Sequence, residues 1–388
     1  MLKRIVVIIV MLSLMSGVKC YAKETEDSLG ITSKSAVLMD VSTGKVIYEN
    51  NSNEILSPAS ITKIMTLIIV FEEIENNNLK LDDEIVTSEY AMSMGGSQVF
   101  LQEGEVQTVD DMIKCIVVAS GNDASVAMAE HIEGSEKAFV ERMNKKASEL
   151  GMENTNFEDC CGLTDSDNHY TTAKDVAIMS KELLNKYPQI KKYSTIWMDT
   201  ITHVTNKGSS EFGLSNTNKL LKMSCGFEVT GLKTGSTSKA KYCLSASGKK
   251  DNIELVAVVM AAPDFKVRFS EAKTMLEYGF SKCSLYTDDE KEETEIVVKG
   301  GKKQNIKVIN KEKFSYLFTN KEDVSKVKKK SVYAKKLNAP VKKGEIVGMT
   351  TYYYEGKAIG NTDIIAMEDI EKAGFVFYLK KSLGRILL

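Results

Sequence analysis

The alternation of apolar and polar positions divides the chain into stretches of different period. The run AVLMDVSTGKVIYEN reads as two strands joined at Ser42-Thr43-Gly44. A long helical stretch follows, with Ser57 as its N-cap, Pro58 in its first helical position and apolar residues continuing through Phe71. Several further helical patterns fill residues 108–190, one of them opened by the capping box Thr172-Ala173-Lys174-Asp175. From Leu232 to Met260 the pattern turns to β, in the runs LKTG, KYCLSAS and IELVAVVMAA. Residues 267–280 return to helix, with Phe269, Ala272, Met275, Leu276 and Phe280 as the apolar positions. Strands open and close this region while helices fill its middle. The expectation is an α+β domain over 27–283 whose first and last parts share one sheet.

After Cys283 the chain becomes rich in Lys, Val and Thr, in short alternating runs such as EIVVKG, NIKVIN and KKSVYAK. These predict a small all-β domain over 284–366. Residues 367–388 then predict an amphipathic helix: Phe375, Tyr378, Leu379, Leu383 and Ile386 form one stripe, with Lys380, Lys381 and Arg385 off it. A basic amphipathic helix at a chain end suits the membrane interface. At the other end, Lys3 and Arg4 precede an apolar run from Ile5 to Val18, and the small-x-small pattern Cys20-Tyr21-Ala22 follows. This reads as a secretory signal over 1–22, cleaved after Ala22, with an uncleaved anchor as the alternative. Either way the protein is exported.

Composition narrows the chemistry. The net charge of −2 and the lack of a basic tract give no footprint for nucleic acid. The seven cysteines are scattered without CxxC or metal spacing and read mostly as small buried hydrophobes. Export leaves open a disulfide among Cys115, Cys225 and Cys243. The three histidines, His131, His169 and His203, show no HExxH pattern, so neither a zinc site nor another metal is expected. No Gly-x-Ser-x-Gly elbow is present, so a nucleophilic serine would need a base other than the usual histidine.

Three motifs, in one order, supply that base: Ser60-Ile61-Thr62-Lys63, Ser120-Gly121-Asn122 and Lys233-Thr234-Gly235. Ser-x-x-Lys alone says little, since it recurs at Ser42–Lys45, Ser247–Lys250 and Ser270–Lys273; Lys-Thr-Gly occurs once. On a helix, Ser60 and Lys63 share a face. A serine hydroxyl attacks only when its proton is removed, and a lysine amine can remove it only when neutral. Burial, and Lys233 as a neighbouring cation, would lower the Lys63 pKa. Ser120 would relay a proton to the leaving amine, and Asn122 would hold Lys63 and the substrate amide. Lys233 and Thr234 would face a substrate carboxylate, and the N–H groups of Ser60 and Ser236 would form the oxyanion hole.

The set and its flanks resemble the low-molecular-mass penicillin-binding proteins that act as D-alanyl-D-alanine carboxypeptidases. The resemblance includes PASITKIMT, ASGNDASVAMAEH, HYTTAKDVA, NTNKLL, GLKTGST and VRFSEAKTMLEYGF, and APVKKGEIVG in the small domain. It implies a β-lactamase/transpeptidase-like catalytic domain, followed by the small β domain and a membrane-anchoring helix. It further implies that the enzyme removes the terminal D-alanine from peptidoglycan pentapeptides through a Ser60 acyl-enzyme, at the outer face of the cytoplasmic membrane and without a cofactor. Ser60, Lys63 and Ser120 would be catalytic; Asn122, Lys233, Thr234, Gly235 and Ser236 would bind substrate. Arg268 matches the family arginine at the terminal carboxylate. The expected partners are stem peptides ending in D-Ala-D-Ala, β-lactams as inhibitors, and the membrane surface.

Two positions depart from the family pattern. Cys161 stands where many members have a histidine before Gly162-Leu163, and Lys241 replaces a glycine. A DD-endopeptidase or transpeptidase on the same scaffold is the alternative activity. A class A β-lactamase would need a glutamate to activate water; Glu158 is the candidate, but FEDCCGL does not resemble that loop. A catalytically dead wall-binding protein would show a substituted Ser60 or Lys63, and neither is substituted.

Overall fold

The first and last runs of the catalytic domain do share a sheet. In a computed structural model, which describes residues 29–205, 208–289, 293–334 and 336–379, β1 (Ser35–Asp40) and β2 (Val46–Asn50) form the expected hairpin. The Asp40 carboxylate closes its turn by accepting from the Thr43 N–H at 2.7 Å. β1 then pairs with β9 (Ile253–Ala262), and β8 (Lys241–Lys250) and β7 (Glu228–Thr237) complete an antiparallel sheet in the order β2-β1-β9-β8-β7. The expected signal segment, and the terminal helix beyond residue 379, lie outside the described residues.

Helices cover both faces of this sheet, which is why the β9 run is apolar almost without alternation. Val256, Val258 and Met260 belong to the core formed with α1 (Lys63–Glu75), α2 (Val109–Val117), α3 (Asn122–Glu133), α4 (Glu136–Glu149) and α5 (Ala173–Lys186). On the other face, α6 (Val267–Lys282) sits so close that a Cβ on Gly279 would lie 2.5 Å from Leu255 Cδ1 and 2.8 Å from Leu38 Cδ2. α1 is buried on every side from Lys63 to Phe71, as a central helix must be.

Three local expectations change. The stretch after Pro58 opens as a 3₁₀ turn over Ala59–Thr62, with Ala59 at φ +47°, and the α-helix begins only at Lys63. Thr172 caps α5 as predicted, accepting from the Asp175 N–H, but Asp175 turns its carboxylate to Asn154 and Thr155 instead of back to the cap. Two hairpins also join the domain without a clear sequence signal: β3 (Glu84–Val86) with β4 (Val106–Thr108), and β5 (Met198–Thr205) with β6 (Gly208–Ser215). β5 and β6 bury little beyond Ile201, His203 and Leu214, too few apolar positions to stand out.

The C-terminal domain is all β. β10 (Ser284–Asp288) pairs with β13 (Phe314–Phe318). A second sheet holds β11 (Thr294–Lys299), β12 (Asn305–Asn310), β14 (Lys328–Tyr333), β15 (Leu337–Asn338), β16 (Ile346–Tyr354) and β17 (Lys357–Ala366), in the order β14-β16-β17-β12-β11-β15. The sequence expectation ended this domain at 366, but the chain stays on it further. Ile370 pairs with Val341 and is 2% exposed within the domain's core. Helical backbone is first seen at 375–379, where Phe375 is 80% exposed and Val376, Tyr378 and Leu379 are also exposed. No described helix is long and apolar enough to cross a membrane. The six described cysteines are unpaired; all but half-buried Cys225 are buried, so Cys115, Cys225 and Cys243 form no disulfide with one another.

Candidate active site

The three motifs converge where the turn before α1, the connection between α2 and α3, and edge strand β7 meet. The Ser60 turn is gripped by main chain on two sides. A Cβ on Gly162 would lie 1.8 Å from Ala59 O, and one on Gly235 would lie 2.6 Å from Pro58 O. Only glycine permits either approach. The loop carrying Gly162 is itself held by Asp159, whose carboxylate accepts from the N–H groups of Cys161, Gly162, Leu163 and Thr164. Burial would raise the Asp159 pKa, but the charge His169 carries when it is protonated at low pH and these N–H groups outweigh it and hold the carboxyl below its ordinary value.

Behind Ser60 stands Lys63, fully buried at 0% exposure. Its Nζ lies 3.1 Å from Ser60 Oγ, 2.6 Å from Asn122 Oδ1 and 2.8 Å from Cys161 O. A neutral amine has two N–H donors and one lone pair. Donation to the two short contacts leaves the lone pair for the Ser60 hydroxyl proton. Burial moves Lys63 toward that neutral form, lowering its pKa against the pull of nearby Cys161, Cys160, Asp159 and Asp123. Lys233, 1% exposed, has a pKa lowered still more clearly, first by burial and then by the charges of Lys63 and Arg268. The sequence reading assigned the drop at Lys63 partly to Lys233; burial dominates at both amines, and their mutual repulsion disfavours the doubly charged state.

Lys233 Nζ donates to Ser120 Oγ at 2.8 Å and to Thr234 O at 3.0 Å. Ser120 is held at φ +62°, a conformation rare outside glycine, Asn and Asp, immediately before α3. Asn122 opens that helix, and its Nδ2 donates to Gly95 O at 2.7 Å, so its Oδ1 is oriented toward Lys63.

In front of these groups lies a cleft of about 270 Å³. Of the residues expected from sequence, Ser60, Ser120, Thr234, Gly235, Ser236 and Arg268 line it, while Lys63, Asn122 and Lys233 sit behind the two serines. Arg268 is buried to 4% exposure; its Nη1 donates to Gly235 O at 3.1 Å and Cys243 O at 3.3 Å, and the rings of Phe265 and Phe269 pack on it. Sequence reasoning assigned no role to Ser97, Thr217, Lys219 and Phe265, which also line the cleft. Thr217 accepts from the Thr234 hydroxyl at 2.7 Å. These are common residue types, and only the fold brings them together.

The catalytic region, residues 22–264, matches the family model described as D-alanyl-D-alanine carboxypeptidase. The chain belongs to the D-alanyl-D-alanine carboxypeptidase family. Residues 280–372 match the C-terminal domain of penicillin-binding protein 5. Among relatives, D-alanyl-D-alanine carboxypeptidase DacF of Bacillus subtilis is 45% identical over 353 residues, covering 90% of this chain and 89% of that protein. DacC of Escherichia coli is 32% identical over 365 residues, covering 91% and 88%. The structure of penicillin-binding protein 5 from Haemophilus influenzae superposes with a TM-score of 0.73 at 33% identity, covering 88% of this chain and 98% of that one. The Streptomyces K15 DD-transpeptidase, with a TM-score of 0.59 at 28% identity, covers 65% of this chain and 98% of its own.

Within this family pattern the departure at Cys161 falls on a buried side chain, while its main-chain carbonyl holds Lys63. Lys241 sits at φ +56°, the reason a glycine suits that position. Ligand atoms of Glu136, Asp159 and Cys161 lie within 4.8 Å of one another, but the Asp159 oxygens are already occupied by backbone N–H groups. His169 serves the scaffold: its Nδ1 accepts from the Glu158 N–H at 3.0 Å, so the protonated Nε2 of the neutral ring donates to Thr62 Oγ1 at 2.8 Å.

Proposed function

We propose that this protein removes the terminal D-alanine from peptidoglycan stem peptides ending in D-Ala-D-Ala, with Ser60 as nucleophile and Lys63 as its base. The observation that carries the reading is a buried amine 3.1 Å from the serine hydroxyl, with its two other hydrogen bonds already directed elsewhere. Lys63 takes the Ser60 proton as Oγ attacks the penultimate D-Ala carbonyl. The N–H groups of Ser60 and Ser236 stabilise the oxyanion; one such donor is commonly worth about 3–4 kcal/mol. Ser120, fed by Lys233, gives its proton to the departing amine of the terminal D-alanine. Water then attacks the acyl-enzyme, its proton going to Ser60 Oγ as the ester bond breaks, and the proton held by Lys63 passes back through Ser120 to Lys233. Arg268 and Thr234 face the terminal carboxylate, and Asn122 holds Lys63. Lys233, whose ammonium is turned to Ser120, supplies field and protons from behind the cleft instead of a direct contact with the carboxylate.

β-Lactams would acylate Ser60 by the same steps, since their strained amide presents a carbonyl and a carboxylate as the peptide does. Export through the N-terminal signal, and seating at the outer membrane surface through the C-terminal helix, complete the reading. The exposed Phe375, Val376, Tyr378 and Leu379 support the second of these.

The deciding experiment measures D-alanine release from a diacyl-Lys-D-Ala-D-Ala peptide by the parent protein and by Ser60→Ala, with a glycine acceptor added in parallel. Release by the parent alone, together with a penicillin adduct on Ser60 by mass spectrometry, is the expected result. Acyl transfer to glycine in place of release would favour the transpeptidase alternative. Neither product, and no adduct, would refute the reading.

A further inference from the structure

We propose that Lys219 is a substrate-binding residue of the cleft, giving its ammonium to the free carboxylate that ends the peptide. The inference rests on the function proposed above and adds to it a specificity residue. Its starting point is a census of charge. Among the described residues, Lys219 and Arg268 are the charged residues that line the cleft, and no acid does. The two other lysines of the site do not line it: Lys63 is directed to Ser60, Asn122 and Cys161, and Lys233 to Ser120 and Thr234 O. Arg268 is buried and partly committed, although its Nε has no hydrogen-bond partner. Its Nη1 serves two main-chain carbonyls, and its guanidinium is stacked among Tyr242, Phe265 and Phe269. Lys219 is therefore the exposed cation of this cleft.

Its position is fixed at both ends. Lys219 begins the 3₁₀ turn Lys219–Lys222, which Asn218 ties to β7 by donating from Nδ2 to Gly231 O at 3.1 Å. The ammonium lies 4.7 Å from the centre of the Trp197 ring, and Lys222 Nζ lies 4.8 Å from the same ring. A ring face attracts the charge without using up the N–H donors, so the ammonium remains able to bind a carboxylate. Among the described residues no carboxylate pairs with Lys219 or Lys222. The Lys219 charge, held on the indole where no acid among the described residues lines the cleft, creates a positive potential that draws an anion. The substrate's own terminal carboxylate is the anion that the reaction guarantees there.

The test compares Lys219→Ala and Lys219→Arg with the parent, using diacyl-Lys-D-Ala-D-Ala and the same peptide as its C-terminal amide. Lys222→Ala, which loses a ring contact outside the cleft lining, is the control. For Lys219→Ala the carboxylate substrate should show KM raised roughly tenfold with kcat changed less than about threefold. The amide should be unaffected, Lys219→Arg should recover most of the loss, and Lys222→Ala should match the parent. Equal losses on both peptides, or no change in KM, would overturn the assignment. If the parent cleaves neither peptide, releasing neither D-alanine nor D-alaninamide, the proposed function fails. The rate of Ser60 acylation by benzylpenicillin, which carries a carboxylate, then decides the point for Lys219. A tenfold fall in Lys219→Ala supports it, and an unchanged rate rejects it.

Discussion

Positive φ angles and buried charges are distributed very differently in the two domains. In the β domain one pair of positive φ angles serves a hairpin: Glu355 (φ +46°) and Gly356 (φ +82°) make the two-residue turn between Tyr354 and Lys357. In the catalytic domain Ala59 and Ser120 take the same left-handed region beside Ser60, outside any hairpin. The β domain keeps its lysines in water and buries one carboxylate, Asp288, with the Tyr352 hydroxyl donating to it at 2.8 Å. The catalytic domain buries Lys63, Lys233 and Arg268 together. Such burial opposes folding, and it is also what shifts a lysine amine toward the free form that can accept a proton. One domain is organised for stability, the other gives some up for chemistry.

The sharpest way to break this contrast is Lys63→Met. It removes the base while filling the same volume, and acylation by penicillin should fall by about 10³-fold or more, with the melting temperature unchanged or higher. A melting temperature lowered by several degrees would mean that the buried amine stabilises the fold instead of costing it.

The pH dependence has a definite sign. With neutral Lys63 as the proposed base, acylation should fall as pH drops through its pKa, and that limb should lie below 10.5. Unfolded chains bind protons at both lysines up to about 10.5, whereas the folded chain has released them lower down. Stability should therefore rise with pH between the lowered folded values and 10.5. Urea titrations at several pH values, with the Lys63→Met/Lys233→Met double variant losing that slope, check this.

Gly162→Ala drives a methyl group into Ala59 O and imposes a left-handed alanine; we expect a loss of at least about 2 kcal/mol and a slowed acylation, because the Ser60 turn must shift. In the β domain, Tyr352→Phe should cost about 1–2 kcal/mol in that domain's unfolding while leaving kcat/KM for D-alanine release unchanged. A matching loss of activity would show that the domains are energetically coupled. The smallest effect is at Lys241. Replacement by glycine relieves the φ of +56° and should stabilise by about 1 kcal/mol or less, a rise of roughly 2–4 °C.

Much of this arrangement was legible in the sequence because periodicity reports burial. The β1–β2 hairpin, the buried β9 run and the start of the β domain at Ser284 all carry strong apolar patterns. The motif residues were legible because their spacing and order are unusual. The β5–β6 hairpin was not, since a strand pair that buries so little has no period to read. The direction of Lys233 was hidden too. Whether an ammonium faces a cleft or a neighbouring serine depends on side-chain packing, and no spacing encodes it. The same holds for the helix start: Ser57 and Pro58 signal an ordinary cap, and the positive φ of Ala59 arises from the close contact with Gly162.

That contact has a consequence for how the enzyme can change. Ser60 is located by peptide groups pressed against Gly162 and Gly235, with no side chain between them. The walls of the cleft, among them Ser97, Thr217, Lys219 and Phe265, stand outside this clamp. Variation at those positions can therefore retune which peptides or antibiotics are accepted while the reactive oxygen stays where it is. Adaptation of substrate range and preservation of the reaction are assigned to separate residues.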